Sequence, residues 1–155
     1  MMQRRILLMR HAESSSDDAS LSDHQRPLNP KGTKDAPRIA HSLQRLNWIP
    51  TRVFVSDSKR TLDTLEGMKT VFGEMNIQTM ESLYLAPVTT LLECIQTATE
   101  EEVLLILSHN PGTELALYQL TGEYHVMPPA ACALLVYQNG KWQCQHILRP
   151  EELNE

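Results

Sequence analysis

Apolar and polar positions alternate along this chain in two patterns. Residues 5–9 (RILLM), 51–56 (TRVFVS) and 102–108 (EVLLILS) are apolar runs bounded by charge, as expected of strands covered on both faces. Between them apolar residues return at helical spacing. Ile39, Leu43 and Leu46 form one stripe, which predicts a helix over Lys31–Leu46 with Asn29 as cap and Pro30 at its first position. Pro37 falls inside that helix, so it starts later or kinks. Leu62, Leu65, Met68 and Phe72 predict a second helix over residues 58–73, stopping at Gly73. Residues 77–84 hold a short strand and its exit, and residues 89–99 a third helix. A fourth helix opens at Asn110 as cap with Pro111 first. The polar residues 14–30 read as a loop in which Ser14–Ser16 make a serine-type turn.

Residues 131–148 read as a hairpin, because Asn139-Gly140 suits a two-residue type I′ turn. That turn pairs Gln138 with Lys141, so Cys144 faces Leu135 and Cys132 faces Ile147. The two cysteines then lie on opposite faces and cannot bond. Together with Cys94 they read as reduced. His146 alternates with Trp142 and Cys144 on one face, which makes it a packing residue.

Helices alternating with apolar strands imply an α/β fold of three layers. A mainly parallel central sheet carries helices on both faces, with the C-terminal hairpin as its antiparallel part. The length of 155 residues suits a single domain over residues 1–155. A net charge of −5 argues against a nucleic-acid partner, which would favour a basic face. No apolar run approaches the roughly 18 residues a membrane helix needs. Residues 1–9 are too short in apolar core for a secretory signal, so the expected location is cytoplasmic. Glu100–Glu102 reads as a solvated run.

Three strands end in chemistry. The first runs into Arg10-His11, the second ends at Ser56 with Arg60 on the next helical turn, and the third ends in Ser108-His109. Ligands of open α/β sheets bind at the carboxyl ends of strands. If the three are parallel neighbours, two arginines and two imidazoles meet in one crevice beside two helix N-termini. Guanidinium groups fit phosphate oxygens, so the crevice suits a phosphoryl group. No G-x-x-x-x-G-K-[ST] sequence is present, and no carboxylate cluster of metal-ligand character. The cations are therefore expected to be side chains, with no metal and no cofactor. One imidazole can attack phosphorus while the other groups hold the charge on its oxygens. Asn110, beside His109 at a helix start, is a candidate substrate-binding residue.

LLMRHAES resembles the R-H-G-[ED] signature of the histidine phosphatase superfamily, whose fold is called phosphoglycerate-mutase-like. RPLNPKG, VFVSDSKRTLDTLE and LLILSHNPG resemble its later segments in the right order, and MPPAACALLVY the stretch before its late strand. The short chain is most similar to SixA-type phosphohistidine phosphatases. The resemblance implies His11 as nucleophile with Arg10, Arg60 and His109 as phosphate ligands. It makes Glu81, in MESLYLAP, a candidate proton donor, the alternative being a solvated strand-end charge. Arg26 lies between a loop salt bridge and a place near the substrate, and Glu13 orients the loop. Two positions depart from the family pattern. Ala12 replaces a glycine, and Asp17 stands where mutase-like members place a phosphate-binding asparagine, so its carboxylate should point away. Little length remains for a lid, so an open site is expected.

The implied activity is hydrolysis through a phosphohistidine intermediate, with inorganic phosphate as product. The implied partner is a histidine-phosphorylated signalling or phosphotransfer protein. A small-molecule phosphomonoesterase and a non-catalytic phosphate-binding module are the alternatives.

Overall fold

The computed structural model describes residues 3–153; of the expected domain, residues 1, 2, 154 and 155 lie outside the described set. One six-stranded sheet, in the order β3-β2-β4-β1-β5-β6, carries the molecule. Its strands are β1 (Arg5–Arg10), β2 (Arg52–Ser56), β3 (Asn76–Met80), β4 (Val103–Ser108), β5 (Cys132–Gln138) and β6 (Lys141–Leu148). The first four run parallel, whereas β5 is antiparallel to both β1 and β6. The helices are α1 (Pro30–Arg45), α2 (Lys59–Phe72), α3 (Val88–Ile95) and α4 (Gly112–Thr121). Among the described residues no helix is long and apolar enough to cross a membrane.

The handedness of parallel crossovers fixes the layers. From β1 to β2 to β3 the chain steps one way across the sheet, which puts α1 and α2 on one face. From β3 back to β4 it steps the other way, which puts α3 on the opposite face. The core divides accordingly. Leu7, Met9, Leu105 and Leu107 pack with Ile39 and Leu43 of α1 and Met68 of α2. Ile6, Leu8, Leu104 and Ile106 pack with Leu91 of α3 and Leu117 of α4. Strands buried on both sides need apolar residues at every position, which is why RILLM and VLLILS show no alternation.

Several expectations are corrected in detail. α1 starts at Pro30, with the Asn29 side chain accepting from Gly32 N at 2.8 Å, and Pro37 lies within it. Leu46 falls after the last helical turn and is exposed. α3 ends at Ile95, short of residue 99. α4 opens at Gly112, and Asn110 does not cap it with a backbone N–H bond. Glu102 is not solvated, because it pairs with Arg52 at 2.7 Å and ties β2 to the start of β4.

The hairpin turn has positive φ at Asn139 and Gly140, as type I′ requires. Gln138 pairs with Lys141 and Leu135 with Cys144 as expected. A bulge then shifts the register, so Cys132 faces Leu148 rather than Ile147. The extra residue reverses the side-chain alternation beyond it. Ile147, not His146, therefore joins Trp142 and Cys144 on the packed face, and His146 is exposed. All three cysteines are free, with Cys132 and Cys144 against opposite layers.

Candidate active site

The strand order places β4 between β1 and β2, so the carboxyl ends of these three parallel strands lie side by side. That brings Arg10, His11, Ser56, Ser108 and His109 to one edge. The backbone fixes His11 from both sides. Its N–H donates to Ser108 O at 3.1 Å and its carbonyl accepts from Ala130 N at 2.8 Å. The N–H of Ala12 donates to Thr64 Oγ1 at 3.0 Å, and that hydroxyl donates to Arg60 O at 2.7 Å. Thr64 therefore holds the loop after β1 onto the helix that carries Arg60. Ala12 is buried and lies outside the positive-φ residues, so a methyl group there strains no backbone.

The His11 ring has a defined tautomer. Nδ1 lies 2.6 Å from Ala12 O, and a carbonyl can only accept, so Nδ1 carries the proton. Nε2 is left with its lone pair, toward which Arg60 Nε–H donates at 3.3 Å. The His109 ring centre lies 5.3 Å from that of His11. His109 Nε2 is 2.8 Å from Ser56 Oγ, and Ser58 N also donates to that hydroxyl. His109 Nδ1 and Arg10 Nε are buried with no protein partner among the described residues, so two polar groups of the site are left for a ligand. The other end of Arg10 is anchored, with Nη1 donating to Met127 O at 3.2 Å.

Exposure is small here: 6% for His11, 4% for Arg60 and 1% for His109. Burial is the largest reason both imidazoles resist protonation. It lowers His11 from 6.5 to about 4, with Arg60, Arg10 and Arg26 adding to the effect and the Ala12 carbonyl opposing it. It lowers His109 to about 3, followed by the influence of His11 and Arg60. Both rings are neutral at pH 7.

A roof covers these groups, in place of the open site expected. It consists of the chain between Glu13 and Asn29 together with Tyr84. Asp23, at the start of a short 3-10 turn (Asp23–Gln25), accepts from Arg60 Nη2 at 3.0 Å through its carboxylate and from Arg60 Nη1 at 2.7 Å through its carbonyl. Tyr84 donates to the same carboxylate and sets its ring edge-on to His109, 5.4 Å between centres. His24 pairs with Asp57 at 2.8 Å and stacks edge-on with Tyr84. Arg26 spans the loop, donating to Asp23 Oδ1, Ser15 O and Ser14 Oγ.

The two ends of the roof are fastened to each other, the Glu13 carboxylate accepting from Asn29 Nδ2 at 2.9 Å and the Glu13 carbonyl from Asn29 N at 3.0 Å. Gly32 is required there, because a Cβ would sit 2.1 Å from Glu13 O. Asp17 is exposed, and Ser15 Oγ accepts its N–H in the expected serine turn.

The structure therefore brings Arg10, His11, Arg60 and His109 together and places Arg26 in the roof. Asn110 is occupied within the fold: its amide donates to Met127 O at 3.0 Å and its oxygen accepts from Thr113. Glu81 is exposed, and its side chain makes no hydrogen bond among the described residues. Asp23 and Tyr84 escaped the sequence reading. The available signals were the spacing Asp23-x-x-Arg26-Pro27-Leu28 and the tyrosine three residues after Glu81.

An α/β sheet whose strand ends gather two arginines and two neutral imidazoles under a loop defines a phosphoryl-binding class of protein. The chain belongs to the histidine phosphatase superfamily (branch 1), whose family model matches residues 6–84. An uncharacterised chloroplastic protein of Arabidopsis thaliana is 33% identical over 153 residues, covering 92% of this chain and 70% of that protein. A structure assigned as the phosphohistidine phosphatase SixA of Agrobacterium tumefaciens shares the fold with a TM-score of 0.86 at 23% identity, over 97% of this chain and all of that one. A phosphoserine phosphatase of Entamoeba histolytica, solved with 3-phosphoglyceric acid, gives 0.72 at 12% identity over 92% and 95% of the two chains.

Proposed function

We propose that the protein is a metal-independent phosphatase in which His11 Nε2 attacks phosphorus, and that its substrate is phosphohistidine on a signalling or phosphotransfer protein. One observation carries the mechanism: the Ala12 carbonyl holds the proton on Nδ1 and leaves the Nε2 lone pair beside Arg60. A phosphoryl group in front of Nε2 meets Arg60 Nε and Arg10 Nε. Its charge also favours protonation of His109, whose Nδ1 then becomes a donor to it. These side chains supply the positive charge that the equatorial oxygens need as the P–N bond forms.

The first step forms the bond from phosphorus to Nε2 and breaks the bond to the leaving group. His11 keeps its Nδ1 proton on Ala12 throughout. Water then attacks phosphorus, the P–N electron pair returns to Nε2, and the water proton leaves with phosphate or solvent.

A phosphoimidazole is a labile donor, which suits a site where the side chain of the one proton donor expected from the sequence, Glu81, is exposed and makes no hydrogen bond among the described residues. A second reading, a small-molecule phosphomonoesterase, is favoured by the recessed position of His11 under the roof. Rates measured side by side on a phosphohistidine protein, a phosphohistidine peptide and a panel of sugar and nucleotide phosphates separate the two. We expect the phosphohistidine substrates to be faster, in excess EDTA as well. Faster turnover of a small ester overturns the substrate assignment, and loss of activity in EDTA overturns metal independence.

A further inference from the structure

The roof holds an acid that the two steps above do not use. The Asp23 carboxylate accepts from Arg60, Arg26 and Tyr84. The Tyr84 hydrogen bond, followed by those of Arg60 and Arg26, holds it well below the usual carboxylate range against the opposing effect of burial. It is therefore a fixed anion. A carboxylate offers about four acceptor positions, and three donors leave one open. The Asp23 side chain is 47% exposed, whereas Arg60 beneath it is 4% exposed. Asp23 meets the guanidinium at Nη1 and Nη2 whereas His11 Nε2 meets it at Nε, so carboxylate and nucleophile flank the same arginine at different nitrogens.

In-line attack by His11 Nε2 expels the leaving group on the side of phosphorus away from Nε2, toward the roof. The neighbouring acids are engaged elsewhere. Asp57 pairs with His24, and Glu114 accepts from Tyr124 and from Met127 N.

We propose that Asp23 is a specificity-determining residue whose open acceptor position takes an N–H of the leaving group, favouring donors such as a protonated phosphoimidazole and disfavouring leaving groups that carry a carboxylate. The assignment rests on the phosphatase reading above. The chemistry balances without a proton donor from the protein. A phosphoimidazole protonated on its distal nitrogen presents that N–H to Asp23. As phosphorus bonds to Nε2, the old P–N electron pair goes to the departing nitrogen, and a neutral imidazole leaves with its distal proton.

The test compares Asp23→Asn with the unaltered protein on four substrates: a phosphohistidine peptide, phosphoethanolamine, p-nitrophenyl phosphate and 3-phosphoglycerate. Relative to p-nitrophenyl phosphate, kcat/KM in the variant should fall about tenfold for the first two, the scale of one hydrogen bond to a charged group, and rise for 3-phosphoglycerate. An equal change on all four overturns the proposal, because Asp23 then only braces Arg60. If the unaltered protein leaves phosphohistidine intact, the substrate assignment fails separately. The ratio of phosphoethanolamine to 3-phosphoglycerate then decides Asp23: a shift toward 3-phosphoglycerate supports the role, and an unchanged ratio overturns it.

Discussion

The floor and the roof of the site are built by different means. Arg10, His11 and His109 stand at the ends of buried parallel strands, positioned by the ladder that pairs Arg10 with Ser108. Arg60 follows in the first turn of α2. The roof has no ladder, apart from the single bridge between Ser14 and Leu28. Its base is closed by two backbone bonds, Ser15 N to Pro27 O and Asn29 N to Glu13 O, and the rest is held by side chains, namely the Asp23–Arg60 and Asp23–Arg26 pairs, Tyr84, and Asn29 on Glu13. A floor of this kind keeps its geometry when one side chain is removed. A roof of side-chain pairs loses one contact at a time. Loss of a floor residue should therefore remove chemistry, and loss of a roof residue should change rate or selectivity by degrees.

The largest effect expected is that of His11→Ala. Turnover should fall about a thousandfold or more, because the nitrogen that forms the bond to phosphorus is gone. Vanadate should still bind, since Arg10, Arg60 and His109 remain. Residual hydrolysis near that of the unaltered protein would exclude a covalent histidine.

The second effect concerns acid. Both floor imidazoles are buried neutral, and their folded values of about 4 and about 3 lie below the ordinary 6.5. Below pH 6.5 the unfolded chain binds protons that the folded chain refuses. Their contribution to stability is therefore complete above that value and is lost as pH falls toward 4. For His11 the loss is on the order of 3 kcal/mol. Urea midpoints at pH 7 and pH 4.5 should differ more for the unaltered protein than for a His11→Asn, His109→Gln variant. Equal differences would place the acid sensitivity elsewhere.

The floor was legible in the sequence and the roof was not, for a physical reason. A strand buried on both faces must be apolar throughout, so its polar end stands out, and three such ends pointed to Arg10, Ser56 and His109. The quoted family segments also contain the supports: Ser56 holds His109, Thr64 holds Ala12 N, and Ser108 Oγ donates to Leu83 O below Tyr84. Asp23 sits among polar residues that look alike, and its partners Arg60 and Tyr84 lie 37 and 61 residues away. Locally only its spacing to Arg26-Pro27-Leu28 distinguishes it from Asp17 or Asp18. The hairpin bulge was hidden for a similar reason. One extra residue leaves the apolar count unchanged while exchanging His146 for Ile147 at the packed face.

Where roof meets floor, Gly32→Ala should cost about 1–3 kcal/mol, because the new methyl group meets the Glu13 carbonyl and backbone must shift. The loss should appear in the urea midpoint, accompanied by reduced activity as the Glu13–Asn29 fastening moves. Unchanged stability would mean that the segment after β1 yields freely.

The smallest effect, and the sharpest on the roof itself, is that of Tyr84→Phe. The phenyl ring keeps the edge contacts to His24 and His109. Only the hydroxyl on Asp23 is lost. Asp23 retains Arg60 and Arg26, so it stays ionised, and kcat/KM should fall only about fivefold, near the 1 kcal/mol of one hydrogen bond. Tyr84→Leu also removes the ring from His109 and should cost more than Tyr84→Phe. If the two variants lose activity equally, the hydroxyl alone supports the roof. If Tyr84→Phe loses nothing while Tyr84→Leu does, the ring over His109 is what matters, and Asp23 is placed by its arginines.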